Sequence, residues 1–172
     1  MNKAHEERFR GWVQAQRTGL RRTAFLLCGD WYLADDLVQD ALVRILDAWS
    51  RLSGAPDLTR YSRRVLVNLY LDHRRRPYRR EQPTDDMPEG ELSDTDPTTR
   101  QLLREALQEV PSGQRAVLVL RYFEDFSVEQ TAEALRTSPG NVKSQSSRGL
   151  AALRRALADR GISASFDLLE QQ

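Results

Sequence analysis

The feature that most constrains this chain is an interruption. Between Gln82 and Thr98 the helix-like spacing of apolar residues stops, and Pro83, Pro88, Gly90 and Pro97 stand among acids and Ser/Thr. A segment of this kind offers too little apolar surface to offset the entropy of ordering, so it reads as a linker. It divides the 172 residues into two stretches, each able to build only a small core. The expected architecture is all-α: a helical domain over residues 6–77, an acidic linker over 78–98 and a second helical domain over 99–160.

The helical reading rests on periodicity. Phe9, Trp12, Val13, Leu20, Ala24 and Leu27 recur at steps that place them on one helix face, and Leu33, Leu37, Ala41, Ile45 and Trp49 do the same. Asp30, Asp35 and Asp36 at the start of the second run suit a helix N-terminus. Gly54-Ala55-Pro56-Asp57 breaks the pattern before a third helix over Thr59–Arg75, with Val65, Leu66 and Leu69 inward. In the second half, an amphipathic run from Leu102 to Val110 stops at Pro111, and Ser112 is expected to cap a helix containing Ala116, Val117, Leu120 and Phe123. Ser127-Val128-Glu129-Gln130 matches a capping box for a helix ending near Leu135. Arg136-Thr137 form a tight turn, and Ser138-Pro139 open a last helix to about Asp159, with Ser as cap and Pro at its first position.

Charge is segregated along the chain. Between Glu81 and Asp96 stand seven acids (Glu81, Asp85, Asp86, Glu89, Glu91, Asp94 and Asp96) and no Lys or Arg. Removing them from a formal net charge of +1 leaves the rest at +8. Just upstream, Arg74-Arg75-Arg76-Pro77-Tyr78-Arg79-Arg80 is a dense basic block, so a polyanionic partner is expected. The N-terminus has no apolar run after its basic residue, and no stretch reaches the roughly 20 apolar residues that span a bilayer. A cytoplasmic location follows as the expectation. Cys28, the single cysteine, lies in an apolar run as a buried small hydrophobe, and neither His5 nor His73 has metal-ligand spacing around it. No metal or cofactor is expected.

Three motifs carry possible chemistry. Ser127 to Leu153 reads as helix, three-residue turn, helix, closed by Val128, Ala132, Leu135, Val142 and Leu150. Its second helix presents Asn141, Lys143, Ser144, Gln145 and Arg148, a set able to bond base edges and phosphates; an ordinary helical hairpin with a solvated face is the plainer alternative. Arg63, Arg64, Arg74, Arg75 and Arg76, interleaved with Tyr61, Tyr70 and Tyr78, combine phosphate neutralisation with rings for unpaired bases, or form a solvated helix end. Asp35-Asp36-Leu37-Val38-Gln39-Asp40 is similar to the aspartate-rich magnesium site of isoprenoid synthases, but Gln39 takes the place of its third aspartate and no second acidic motif follows. A protein-docking face or an acidic helix start fits it better. No Gly-rich phosphate loop, nucleophile elbow or His–carboxylate pair is present, so no enzyme and no small-molecule substrate are expected.

Taken in order, from about Phe9 to Leu157, these segments resemble the extracytoplasmic-function sigma factors of bacterial RNA polymerase, within them the actinobacterial SigE-like group. Asp35 to Arg44 is similar to the family's region 2.2 helix, which implies docking on the polymerase clamp helices by Asp36, Gln39, Asp40 and Arg44. Tyr61 to Arg75 resembles regions 2.3–2.4. The resemblance implies capture of the melted −10 element by Ser53, Asp57, Thr59, Tyr61, Arg64, Asn68, Arg74, Arg75 and Arg76, with one base extruded beneath the Ser53–Thr59 loop. Leu102 to Leu157, including Gln114-Arg115-Ala116-Val117-Leu118 and Val142-Lys143-Ser144, resembles region 4, which implies −35 reading by Asn141, Lys143, Ser144, Gln145 and Arg148. The implied partners are core RNA polymerase, through its clamp helices and flap, promoter DNA and, as for many relatives, an anti-sigma factor. The linker would lie in the polymerase RNA channel as a mimic of nucleic acid, or serve as a solubilising spacer.

The chain departs from the family pattern at several positions. Tyr61 stands where many relatives have Trp, Arg136 replaces the glycine common in the helix–turn–helix turn, Ser146 and Gly149 replace apolar residues, and Gln145 replaces a frequent Arg. Two rivals remain at this point: a stand-alone helix–turn–helix regulator, and a polymerase-associated protein that has lost promoter recognition.

Overall fold

The structure, a computed structural model, describes residues 2–76 and 97–162, and every regular element in them is helical. The basic residues Arg79 and Arg80, Tyr78, the acidic linker to Asp96 and the tail beyond Ile162 lie outside the described residues. The chain forms two compact units, dividing at Asp85.

The first unit holds three helices, α1 (Lys3–Cys28), α2 (Trp31–Leu52) and α3 (Leu58–Arg75). Asn2 caps α1 by accepting the His5 N–H at 2.9 Å. At its other end Gly29 adopts a left-handed φ of 70° and donates its N–H to Phe25 O. Asp30 then caps α2 by accepting the Tyr32 N–H. A C-cap followed at once by an N-cap leaves a two-residue connection, so α1 and α2 fold back on each other. Leu20, Ala24 and Leu27 of α1 meet Leu37, Ala41 and Ile45 of α2 and Leu66, Val67 and Tyr70 of α3 in the core. Toward the free end of α1, Phe9 meets Trp49 edge-on at 5.1 Å and stacks beside Trp12. The α1–α2 hairpin is also pinned from outside. Arg21 lies 4.4 Å over the Trp31 ring, which stacks on Phe25, and its guanidinium donates twice to Asp35.

Two expectations for this unit need correction. Val65 is only half-buried, and Val67 and Tyr70 take the inward positions with Leu66 and Leu69. Cys28 is also half-buried, and its thiol donates to Asp30 O at 3.2 Å.

The second unit comprises α4 (Pro97–Glu109), α5 (Ser112–Leu118) running into a π-helical turn at Val119–Phe123, α6 (Val128–Leu135) and α7 (Pro139–Ala158). Arg115 of α5 is 5% exposed, and its guanidinium donates to Gln108 Oε1 and to the carbonyls of Gln108 and Val110 at 2.7–2.8 Å. Those are carbonyls at the C-terminal end of α4, which have no partner in their own helix. At the far side, Arg160 pairs with Glu109 at 2.6 Å and approaches Glu105, tying the end of α7 to α4. The hydrogen bond to Glu109 raises its pKa above the usual arginine value. Val117, Ala132 and Val142, flanked by Val128 and Leu135, join α5, α6 and α7 in one apolar cluster.

Here too the local chemistry departs from expectation. Ser112 makes no side-chain cap; Pro111 holds the cap position and Ser112 is the first helical residue. Phe123, at the end of that helix, is 42% exposed, because the π-helical turn adds a residue to the winding and rotates it out of the core. Phe126, beyond a left-handed Asp125, is buried instead.

Replacing Arg115 by Met keeps the stem but leaves carbonyl groups at the end of α4 without their charged donor. The expected loss is about 3 kcal/mol, read as a lower urea midpoint for the second unit.

Candidate nucleic-acid interface

The α6–turn–α7 segment is set by its caps. Ser127 Oγ accepts the Gln130 N–H at 3.0 Å while Gln130 Oε1 accepts the Ser127 N–H at 2.9 Å, the reciprocal box expected from the sequence. Ser138 Oγ accepts the Asn141 N–H, with Pro139 as the first helical residue. The residues between the caps must reverse the chain, and Arg136 does so with φ 53° and ψ 49°. Holding a side chain in this left-handed conformation costs about 1–2 kcal/mol relative to glycine. The Arg136 N–H bonds to Glu133 O, and the Thr137 N–H reaches back to Ala132 O at 2.9 Å.

On α7, Asn141, Lys143, Ser144 and Arg148 are exposed; Gln145 is half-buried at the edge of the set, a correction to its expected outward position. Asn141 Nδ2 donates to Thr137 Oγ1 at 2.8 Å, which orients the amide across the turn. The exposed stripe continues through Ala151 to Arg155, a cation that motif reasoning missed although its spacing of seven from Arg148 signals it. The opposite face is packed. Gly149 lies against Leu118, where a Cβ would come within 3.1 Å of Leu118 Cγ, so the departure from an apolar residue is a close-approach device. Ser146 has no such compensation: its hydroxyl is buried without a partner among the described residues.

In the first unit, Tyr61, Arg64, Asn68 and Arg75 are spaced by three, four and seven along one outward face of α3. The first three are half-buried, and Arg74, Arg75 and Arg76 are exposed. Asn68 Nδ2 donates to Arg64 O at 2.9 Å, and Arg75 lies 3.6 Å from Asp72. Two members of the arginine–tyrosine motif do not reach this face. Arg63 is 7% exposed and packs against Gly19, whose Cβ, if present, would lie 2.7 Å from the guanidinium. Tyr70 is fully buried, so its ring cannot stack on a base. Both belong to the core-facing side of the helix, which a motif read along the sequence does not separate from the outer side.

The loop before α3 is tightly wound. Ser53 donates its N–H to Trp49 O, and the N–H groups of Gly54 and Ala55 both point to Leu52 O. Ser53 is half-buried, while Asp57 and Thr59 are exposed; Asp57 pairs with Arg60 at 3.2 Å and makes no helix cap. On α2, Asp36, Gln39, Asp40 and Arg44 are all exposed. Asp36, Asp40 and Arg44 line a groove whose other wall is Asp72, His73 and Arg76 of α3, so Arg76 shares a groove with the α2 set. Beside them Tyr32, Val43 and Leu46 are apolar yet 64%, 57% and 38% exposed. These were missed, and their signal is that they fall off the Leu37–Ala41–Ile45 stripe. Among the described residues, no group of His, Cys, Asp and Glu is placed to hold a metal ion, and no helix is long and apolar enough to cross a membrane.

Comparison with known proteins gives a consistent result. Residues 12–80 match the model of sigma-70 region 2, and residues 100–153 match that of sigma-70 region 4. The chain is 36% identical over 165 residues to an RNA polymerase sigma-E factor of Streptomyces avermitilis, covering 94% of this chain and 92% of that one. It is 36% identical over 158 residues to the sigma-E factor of Streptomyces coelicolor, and 26% identical over 162 residues to the ECF RNA polymerase sigma factor SigX of Bacillus subtilis; these cover 91% and 87% of this chain and 89% and 84% of theirs. In fold it is similar to the sigma factor RpoE of Bartonella quintana, solved in complex with the anti-sigma factor NepR. The TM-score is 0.72 at 22% identity, covering 87% of this chain and 96% of that one.

The left-handed Arg136 gives this region a stability signature. Arg136→Gly removes the Cβ crowding but frees the unfolded chain, so a net gain of about 0.5–1 kcal/mol is expected, seen as a raised urea midpoint.

Proposed function

The chain belongs to the sigma-70 family as an extracytoplasmic-function sigma factor, and from that premise we propose how its residues divide the work of promoter recognition. Such a subunit binds core RNA polymerase and directs it to promoter DNA; family membership leaves no place for the stand-alone regulator, and the family is not a class of enzymes. In this chain, residues 99–160 form the −35 reading domain, residues 6–77 the −10 and polymerase-docking domain, and 78–98 the linker. The observation that carries the reading is the exposed Asn141–Ser144–Arg148 stripe over the first half of a helix whose N-terminus is fixed by Ser138. N-terminal residues of a recognition helix are those that reach base edges in the major groove.

Arg148 pairs with a guanine edge, Asn141 with an adenine edge, Ser144 with base or phosphate, and Lys143 with phosphate. Gln145, at the rim, contributes less than its neighbours. The α3 face contributes Tyr61 for stacking, Arg64 and Asn68 for the opened non-template strand, and Arg74 and Arg75 for its phosphates. Ser53, Asp57 and Thr59 border the pocket for an extruded base, whose unstacking cost of a few kcal/mol makes the loop selective. Asp36, Gln39, Asp40 and Arg44, with Val43 and Leu46 beside them, dock on the clamp helices, and Arg76 stands at the edge of that surface. Region 4 meets the flap. The chain works in the cytoplasm without a cofactor or catalytic step, and an anti-sigma factor holds it in reserve, by analogy with the Bartonella complex. A polar tether raises the effective concentration of the second domain once the first has docked.

Run-off transcription with purified bacterial core polymerase on a fragmented genomic library tests the whole reading. Discrete start sites are expected only when the chain is added; their absence would overturn it. On a promoter found this way, Arg148→Ala is expected to cost about 1–3 kcal/mol and relax preference at one −35 position, whereas Lys143→Ala weakens all sequences alike. Matching binding-site selection profiles for Arg148→Ala and wild type would remove the base-reading role of Arg148.

A further inference from the structure

Arg136 is unexplained by the contacts proposed so far. Its φ of 53° is one that glycine adopts freely and that a side chain resists. Its guanidinium is exposed, and among the described residues no ion pair or side-chain hydrogen bond accounts for it. Helix dipoles do not explain a cation here either. The end of α6 favours positive charge, but the same turn opens α7, whose N-terminal end disfavours it. What the position does offer is a place. Arg136 directly precedes Thr137, whose hydroxyl orients Asn141, and it stands at the end of α7 that also exposes Asn141 and Lys143.

We infer that Arg136 is a DNA-backbone contact, binding a phosphate at the edge of the groove into which α7 inserts. The inference rests on the reading of α7 as the recognition helix. A strained backbone persists where the surroundings hold it in place, and an observed outlier at a binding surface points to a functional use. A guanidinium offers paired donors to phosphate oxygens, so one such contact is well matched in geometry as well as charge. Phosphate contacts fix the register of the protein on the duplex without reading sequence. Arg136 therefore adds affinity and positions Asn141 and Arg148, while the choice of bases stays with α7.

The test uses holoenzyme assembled from bacterial core polymerase and the full chain, on a promoter duplex selected in the run-off experiment. Affinity is measured between roughly 50 and 200 mM salt for wild type, Arg136→Gly, Arg136→Lys and Lys143→Ala. Losing one phosphate contact makes the slope of log affinity against log salt shallower by about 0.9, so the deficit of Arg136→Gly shrinks about threefold across this range. The inference expects that change in Arg136→Gly and near wild-type behaviour in Arg136→Lys. Glycine suits the turn, so misfolding does not confound the result. A wild-type slope in Arg136→Gly, or a deficit that lysine fails to restore, overturns the inference. If Lys143→Ala is still shallower in that case, the role of α7 stands; if neither variant changes the slope, the reading of α7 fails with it.

Discussion

A guanidinium buried in a small helical domain is stabilising only where its donors find acceptors, and Nη1 and Nη2 of Arg115 find theirs at the end of another helix. Helix α4 finishes with carbonyls that its own backbone cannot satisfy. The Arg115 side chain reaches them from α5 and so fixes the α4–α5 corner with a charge-assisted set of hydrogen bonds. Both helices pack on α7, so the orientation of α7 depends on that corner. Arg160 repeats the connection from the other end, joining the last turn of α7 to Glu109. Helix α7 is therefore held by α6 through the apolar cluster and tied to α4 through Arg160. Contact residues held on a rigid element are placed more precisely than on a loop.

The first unit uses the same residue type in a related way. Arg63 points inward from α3, and Gly19 of α1 yields the space it occupies. A glycine inside a helix is costly, and here that cost admits a large charged side chain between two helices. The outer face of α3 is thereby left to Tyr61, Arg64 and Asn68. In both units, then, one arginine is structural while its neighbours face outward, and composition alone does not distinguish them.

The local signals in the sequence were strong where backbone chemistry is local. The reciprocal Ser127–Gln130 box, the Ser138 cap with Pro139 behind it, and the breaks at Gly54–Asp57 and Arg136–Thr137 were readable because each involves residues within four of one another. The departures came where a choice depends on distant packing. Phe123 fits a helical period, but the π-helical turn shifts the phase by one residue and Phe126 fills the core. Gly149 reads as a weakness in a helix until Leu118 is seen against it. Tyr70 and Arg63 read as part of a nucleic-acid motif until the helix is packed and both turn inward.

The sequence by itself determined the helical class, the order of elements, the polar break between two domains, the family, and the residue types available for DNA and polymerase. These follow from periodicity, capping and charge, which act over a few residues. Tertiary structure alone decided which arginines and tyrosines are exposed, that Gln145 sits at a rim, that Arg76 shares a groove with Asp36 and Asp40, and that Arg136 carries a left-handed backbone. Each of those depends on which face of a helix meets its neighbour. Helix phase is fixed by the packing of residues far apart in the chain, and local spacing does not contain it.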